Sequence, residues 1–193
     1  EKEAQKIVED LTKPNVEFNI SKITKKETLR NPQALFITST LQREASTKLG
    51  YGVTKTMQIA QKLYEGIELG SDGPVGLITY MRTDSTRISD EAKAAAKDFI
   101  IDKYGKNYYP EKPNDYAKKG KNVQDAHEAI RPSYIERTPE SIREYLTSEQ
   151  YRLYKLIWSR FMASQMVSAK VENNGVEIEA DDYTFRMSSS KIT

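Results

Sequence analysis

Residues 76–89 read GLITYMRTDSTRIS, a short apolar run that opens into a tyrosine, two arginines, an aspartate and a set of hydroxyl side chains. SDGPVG leads into it as a turn-forming run, and Leu77 to Met81 is short and partly β-branched, so the spacing predicts an extended strand. Alternate side chains of a strand share a face. Ile78, Tyr80 and Arg82 are therefore expected on one side, with Leu77, Thr79 and Met81 on the other. A phenol and a guanidinium side by side suit phosphate chemistry, because the fork can hold two phosphate oxygens while the phenol oxygen attacks phosphorus. A phenol in water titrates near ~10, so a nucleophilic phenol needs a cation or base that favours its phenolate. Arg82 is the nearest cation in sequence, and Thr83, Ser85 and Thr86 add hydroxyl donors to the same backbone. Taken alone, Tyr-x-Arg in a strand is also the pattern of a buried tyrosine beside a surface arginine.

The rest of the composition excludes more than it assigns. At 193 residues the chain is long enough for one large domain, or for one domain with part of another. Its 30 Lys and Arg against 28 Asp and Glu leave a net charge of +2, so any positive surface must come from local clustering. There is no cysteine, which excludes disulfides and thiolate zinc sites here and fits a reducing compartment. No apolar run approaches the ~20 residues of a membrane helix, no membrane partner is expected, and the chain reads as cytoplasmic. It begins at Glu1 without methionine and ends in a polar run after a strand-like stretch, so an internal fragment is expected.

Taken in order, Ala4, Ile7, Val8 and Leu11 form the stripe of an amphipathic helix closed by Pro14. Val16, Phe18 and Ile20 then alternate as a half-exposed strand or two. From Phe36 the period becomes helical. Ser39 with Gln42 is read as a capping box opening a helix that stops at Gly50. Thr54 is read as the cap of a second helix packed through Met57, Ala60, Leu63, Tyr64 and Ile67. Ser89 followed by Asp90 and Glu91 starts a third, with Ala92, Ala95, Ala96, Phe99 and Ile100 inward, and Gly105 ends it. Residues 105–124 are read as a long basic loop holding Lys118, Lys119 and Lys121, either a solvated linker or a contact for phosphates. His127, the one histidine, is placed with Arg131 at i and i+4 on one face of a short helix, with Glu128 off that face and Pro132 ending it. Thr138-Pro139 is read as a helix start with Ile142, Tyr145 and Leu146 inward. Thr147 with Gln150 is a capping box for a long helix whose Tyr154, Ile157, Trp158, Phe161, Met162 and Gln165 make a core stripe. Val176, Ile178 and Ala180 return to period two behind a hairpin turn expected at Asn173-Asn174-Gly175. Strands flank a helical block, so the fold class is mainly α with flanking β, a helical domain inserted into a small antiparallel β domain.

Three stretches together resemble the type IA DNA topoisomerases: GLITYMRTDS itself, FITSTLQREASTKLGY with TKTMQIAQKLYEGI over residues 36–67, and AHEAIRPS at 126–133. Met81 after the tyrosine and HEAIRP resemble the bacterial topoisomerase I branch more than the topoisomerase III branch, which usually carries proline after the tyrosine. Leu35 stands where the family usually has proline. The resemblance implies a cleavage domain in which Tyr80 forms a 5′-phosphotyrosine link, Arg82 holds the phosphate and His127 positions or protonates. Thr83, Asp84, Ser85, Arg87, His127, Arg131 and Gln42 are then expected to contact DNA alongside Arg82. It further implies residues 1–35 and 167–193 as parts of a β-rich arch around a helical domain at 36–166. The expected partners are single-stranded and negatively supercoiled DNA and the enzyme's own metal-binding domain, with cytoplasmic, nucleoid-associated localisation. Mg²⁺ is expected on that other domain, since no apolar strand ending in D-x-D-x-x-G occurs here and Glu177, Glu179, Asp181 and Asp182 are not read as a metal site. Relaxases need a histidine cluster, and tyrosine recombinases place their arginines and histidine before the tyrosine. A single-strand DNA-binding module inactive on its own is the competing reading.

Overall fold

The computed structural model describes residues 2–116 and 127–193; Lys118, Lys119 and Lys121 lie outside the described residues. In chain order the elements are α1 (Lys2–Leu11), β1 (Asn19–Arg30), α2 (Thr38–Glu44), α3 (Val53–Glu65), β2 (Ile67–Glu68), β3 (Pro74–Val75), α4 (Asp90–Tyr104), α5 (Ser148–Ser164), β4 (Ala169–Ala180) and β5 (Tyr183–Ile192). They divide into two compact units, Glu1–Asn31 with Ser168–Thr193 and Pro32–Val167.

The first unit is a three-stranded antiparallel sheet in the order β1-β4-β5, with α1 beside it. β1 is one twelve-residue strand with a register shift between Ile20 and Lys22. The turn expected at Asn173-Asn174-Gly175 is not there. β4 runs straight through these residues because Lys26, Lys25 and Thr24 pair with them on one side and Ser190, Ser189 and Ser188 on the other, which leaves no free backbone for a turn. Gly175 is instead a close-approach residue, since a Cβ there would come within 2.6 Å of Thr24 Oγ1. The reversal falls at Asp181-Asp182, where Asp181 takes φ 49°, a left-handed conformation that aspartate tolerates. Cross-strand rows place Ile20, Ile178 and Phe185 together and Ile23, Val176 and Met187 together.

The second unit holds the hydrophobic core, built on Phe36, Leu41, Leu63, Leu77, Ile78, Met81, Ile100, Ile130 and the buried face of α5. The α5 stripe is as expected, with Tyr154, Ile157, Trp158, Phe161, Met162 and Gln165 all buried. Its capping box also forms, with Thr147 N–H donating to Gln150 Oε1 at 2.9 Å and Gln150 N–H to Thr147 Oγ1 at 3.2 Å. Burial pushes the Tyr154 phenol up, and its hydroxyl donates to Arg137 O at 2.7 Å.

Three helix starts differ from expectation. α2 begins ahead of Ser39, because Thr40 Oγ1 accepts the Ile37 N–H at 3.0 Å and so closes the first turn earlier. α3 begins at Val53 rather than behind Thr54, with Thr56 N–H and hydroxyl both donating to Gly52 O. After Thr138-Pro139 there is only a turn and a 3-10 turn at Arg143–Tyr145, so Ile142 and Leu146 are buried while Tyr145 is exposed. α2 continues through a π-helical turn, Ala45–Leu49, and stops at Gly50 in the left-handed conformation. α4 is capped by Ser89, whose hydroxyl accepts from Ala92 N–H at 3.2 Å, and ends at Gly105; Ala96 and Ile100 are buried but Ala95 is exposed.

A buried ion pair braces the start of this unit. Arg160 of α5 binds Glu44 of α2, donates to Ala34 O at 3.1 Å and lies over the Phe36 ring at 4.5 Å, and Lys48 adds a second contact to Glu44 at 2.7 Å. Burial pushes the Glu44 carboxyl up, yet Lys48 and Arg160 outweigh it and hold the group below the usual carboxylate range. The described part of the 105–124 stretch is mostly exposed, as a solvated linker would be, but it is anchored at Asn114 and Tyr116. Asn114 Nδ2 donates to Ser164 O at 2.9 Å and Met166 O at 2.8 Å, and Tyr116 hydroxyl to Ser164 O at 3.1 Å.

Candidate active site

Two extended segments of the second unit, 76–89 and 127–133, lie against each other. The first leaves α3 through the β2–β3 hairpin and passes so close to the helix end that a Cβ on Gly76 would sit 2.7 Å from Tyr64 O. Leu77 N–H then donates to Leu63 O at 2.7 Å, which seats the segment on the last turn of α3. It is extended but not a regular strand, with one isolated bridge, Ile78 to Pro132.

The short helix expected for 127–131 is not formed. Its backbone groups are used sideways instead: Ala129 N–H donates to Arg87 O at 2.8 Å, Ile130 N–H to Phe36 O at 2.9 Å, and Ser133 N–H to Leu77 O at 2.9 Å. Thr79 closes the pairing, its N–H donating to Arg131 O at 3.0 Å, its hydroxyl donating to Ala129 O at 2.7 Å and accepting from Arg131 N–H at 3.0 Å. Pro132 reinforces this, since the residue before a proline is pushed out of the helical region.

This framework sorts the site residues. Along 80–85 exposure alternates: Tyr80, Arg82 and Asp84 face out, while Met81, Thr83 and Ser85 are buried. Ile78, expected on the Tyr80 face, is buried in the core. Tyr80 is 38% exposed, and its ring lies between two others, 6.0 Å from His127 and 5.4 Å from Tyr64 in an edge arrangement. His127 is exposed. Among the described residues Arg82 makes no hydrogen bond or ion pair, so its fork stays available on the outer side.

The hydroxyls do inner work. Thr83 Oγ1 accepts from Ser85 N–H at 3.1 Å and Ser85 Oγ from Arg87 N–H at 3.2 Å, folding the loop on itself. Thr38 of α2 donates its hydroxyl to Met81 O at 2.8 Å and to Thr83 O at 3.0 Å, and accepts the Thr83 N–H at 2.9 Å. Thr86 hydroxyl donates to Tyr116 O at 2.6 Å. Thr83, Ser85 and Thr86 thus hold the segment rather than face outward, and Gln42 is half-buried on α2. Asp84 and Arg87 are exposed.

Arg131 does not stand beside His127 as a free cation. Its Nε donates to Glu128 Oε2 at 3.0 Å and its Nη2 to the same oxygen at 2.5 Å, with Nη1 donating to Pro132 O at 2.9 Å. Glu128 Oε1 in turn accepts the Ser89 N–H at 2.5 Å. Sequence reasoning missed Glu128 and gave Tyr64 only a packing role. The signal for Tyr64 was its place in the last turn ahead of Gly66, where the following hairpin brings the chain back past it.

Among the described residues no group of three or more His, Asp or Glu side chains could hold a metal ion, so no step is assigned to Mg²⁺ on these residues. No described helix is long and apolar enough to cross a membrane.

A sequence model of the DNA topoisomerase family matches residues 1–193 throughout. The chain is 51% identical over 176 residues to the proteins named DNA topoisomerase 1 of two strains of Xylella fastidiosa, an alignment covering 91% of this chain and 22% of each relative. Full-length topoisomerase I from Thermotoga maritima, in a monoclinic crystal form, matches the fold with a TM-score of 0.79 at 40% identity, over 98% of this chain and 30% of that one. The chain therefore spans about a fifth of the length of the curated relatives it matches, 22% in each. With the family's three stretches folded into one unit and the match running end to end, the chain belongs to the type IA DNA topoisomerase family, on its bacterial topoisomerase I branch.

Proposed function

We propose that this chain is the tyrosine-bearing part of a longer bacterial topoisomerase I, which cuts one DNA strand, passes another through the gap and reseals it. Tyr80 Oη attacks the scissile phosphorus, the new P–O bond joins the tyrosine to the 5′ side of the break, and the bond to the 3′ oxygen breaks. The phenol loses its proton and the departing 3′ oxygen ends as a hydroxyl. That hydroxyl attacks back after strand passage, so the tyrosyl ester conserves the bond and resealing needs no ATP. Arg82 holds and neutralises the phosphate, and His127 orients it or relays the proton.

The observation that carries this reading is the placement of Tyr80. Its backbone is pinned from behind by Thr79 and Thr38, while its ring stands exposed beside His127. An anchored backbone with an accessible phenol is what a nucleophile needs, because a poorly placed attacking group loses most of the gain from proximity. The outward guanidinium of Arg82, two residues on, supports the same role.

Residues 36–166 would be the helical cleavage domain, inserted between residues 1–35 and 167–193 of a β-rich arch that lifts it. Support for this comes from the chain's division at Asn31/Pro32 and Val167/Ser168 into a mainly helical and a mainly β unit. The substrates would be single-stranded and negatively supercoiled DNA at the nucleoid, in the cytoplasm. Mg²⁺ would be bound by a separate domain of the same enzyme, where it would supply charge stabilisation at the phosphate.

The test is Tyr80→Phe in the intact enzyme, incubated with a labelled single-stranded oligonucleotide and analysed on a denaturing gel. The variant should form no covalent adduct, yet bind the oligonucleotide within about twofold of wild type, since one exposed hydroxyl contributes little to affinity. Adduct in the variant would overturn the assignment.

A further inference from the structure

The function proposed for Tyr80 gives no part to Glu128, yet this carboxylate accepts three hydrogen bonds beside the site. One oxygen accepts the Ser89 N–H at the cap of α4, and the other accepts Nε and Nη2 of Arg131. The Arg131 side chain is only 13% exposed in this arrangement, so its charge is spent on Glu128. Glu128 also stands next to His127, and the extended segment it belongs to is the one that Thr79, immediately before Tyr80, clasps. Three things thus meet at one carboxylate: the start of α4, the guanidinium of Arg131 and the residue that carries the imidazole beside Tyr80.

We propose that Glu128 is a positioning residue for this site, fixing the 127–131 segment so that His127 faces Tyr80 and withholding Arg131 from the DNA. This role rests on the assignment of Tyr80 as nucleophile and goes beyond what that assignment contains. Charge-assisted bonds from a guanidinium to one carboxylate are short and directional. The Arg131 pair stiffens the segment internally while the Ser89 N–H bond ties the same carboxylate to the start of α4, so His127 is held at its distance from the phenol. Arg82, two residues beyond Tyr80, is then a cation left exposed for the phosphate. The two arginines differ accordingly, Arg82 being exposed and bonded to nothing described while Arg131 is locked.

Removing the carboxylate should free a positive charge while disturbing the His127 segment, so DNA binding and cleavage should move in opposite directions. In the intact enzyme, Glu128→Gln keeps an acceptor for Ser89 N–H but gives Arg131 no charged partner, and Glu128→Ala removes both. Cleavage of a saturating single-stranded oligonucleotide is expected to slow about tenfold in Glu128→Gln and more in Glu128→Ala, consistent with losing placement rather than the nucleophile. Binding of the same oligonucleotide should become more salt-dependent, the slope of log K against log salt steepening by about 0.7 for one added phosphate contact. Adding Arg131→Met to Glu128→Gln should return the slope to the wild-type value, whereas Arg131→Met alone should leave it nearly unchanged. Thermal unfolding of each variant separates these effects from loss of the fold, and Glu128→Gln, of nearly the same shape, serves if Glu128→Ala does not fold. Wild-type cleavage or an unchanged salt slope in Glu128→Gln overturns the proposal. If the wild-type enzyme itself forms no adduct, the function assigned to Tyr80 falls, while the salt slope, which needs no cleavage, still decides for or against Glu128.

Discussion

The two units are ordered by different forces. In the helical unit, Pro32–Val167, twenty-odd apolar side chains leave solvent together, and even the polar residues of the site segment turn their hydroxyls inward onto backbone groups. In the β unit the strands are held by long antiparallel ladders, yet among its described residues only Val171 and Ala180 are buried, and Ile20, Ile23 and Met187 lie more than half exposed. Backbone pairing does not ask for particular side chains, whereas packing does. Substitutions inside the helical unit should therefore cost stability, substitutions on its outer rim should cost activity alone, and substitutions on the β unit's apolar rows should cost little of either in this chain.

The largest effect is expected on the outer rim. Arg82→Lys keeps the charge but loses the bidentate fork, and should slow cleavage by about 10²-fold, near the loss seen when one preorganised donor to a developing charge is removed. Its unfolding midpoint should stay at the wild-type value. A wild-type cleavage rate would show that Arg82 supplies only long-range attraction and would erase the distinction between rim and interior.

Inside the helical unit, Arg160→Met should destabilise by about 2 kcal/mol, less than the ~3–5 kcal/mol of a wholly isolated buried charge because Lys48 still reaches Glu44. Denaturant unfolding would measure it. The Glu44 pair also sets a pH window. Its folded carboxyl lies below its unfolded value, so the stability it contributes is present at neutral pH and is lost as pH falls below about 4.3 and through the folded value. Glu44→Gln should flatten that acid limb, and an unchanged limb would place the acid-sensitive group elsewhere.

Much of this contrast was legible in the sequence wherever one local device decides the outcome. Thr147 with Gln150, Ser89 ahead of two acidic residues, Gly50 and the α5 stripe each specify their element within a turn or two of chain. The failures share another cause. A His-x-x-x-Arg spacing puts both residues on one face of a helix and also on one face of an extended strand, so the spacing could not choose. What chose was Thr79, Phe36 and Arg87, residues remote in sequence whose backbone groups pair with 129–131. Asn173-Asn174-Gly175 has the letters of a turn, but its glycine answers to Thr24 on the next strand, a contact that no local pattern contains. The shared outward face of Tyr80 and Arg82 was read from their alternation, and their expected role from the family resemblance; the inward bonding of Thr83 and Ser85 was not legible, because a hydroxyl reads the same whether it faces a phosphate or its own loop.

The smallest effect belongs to the β unit. Met187→Ser, on the row with Ile23 and Val176, should change the stability of this chain by less than about 0.5 kcal/mol, as for other exposed substitutions that break no special contact. A loss comparable to that of Arg160→Met would mean that the sheet depends on side-chain packing after all.

Every step proposed for this chain turns on Tyr80 as the group that takes the DNA. Trapping the intact enzyme on a single-stranded oligonucleotide, digesting both and weighing the peptides reads the linked residue directly. A nucleotide mass on the peptide containing Tyr80, fragmenting to that tyrosine, is the predicted result. The same mass on another residue, Tyr64 included, or on no peptide at all, would contradict it.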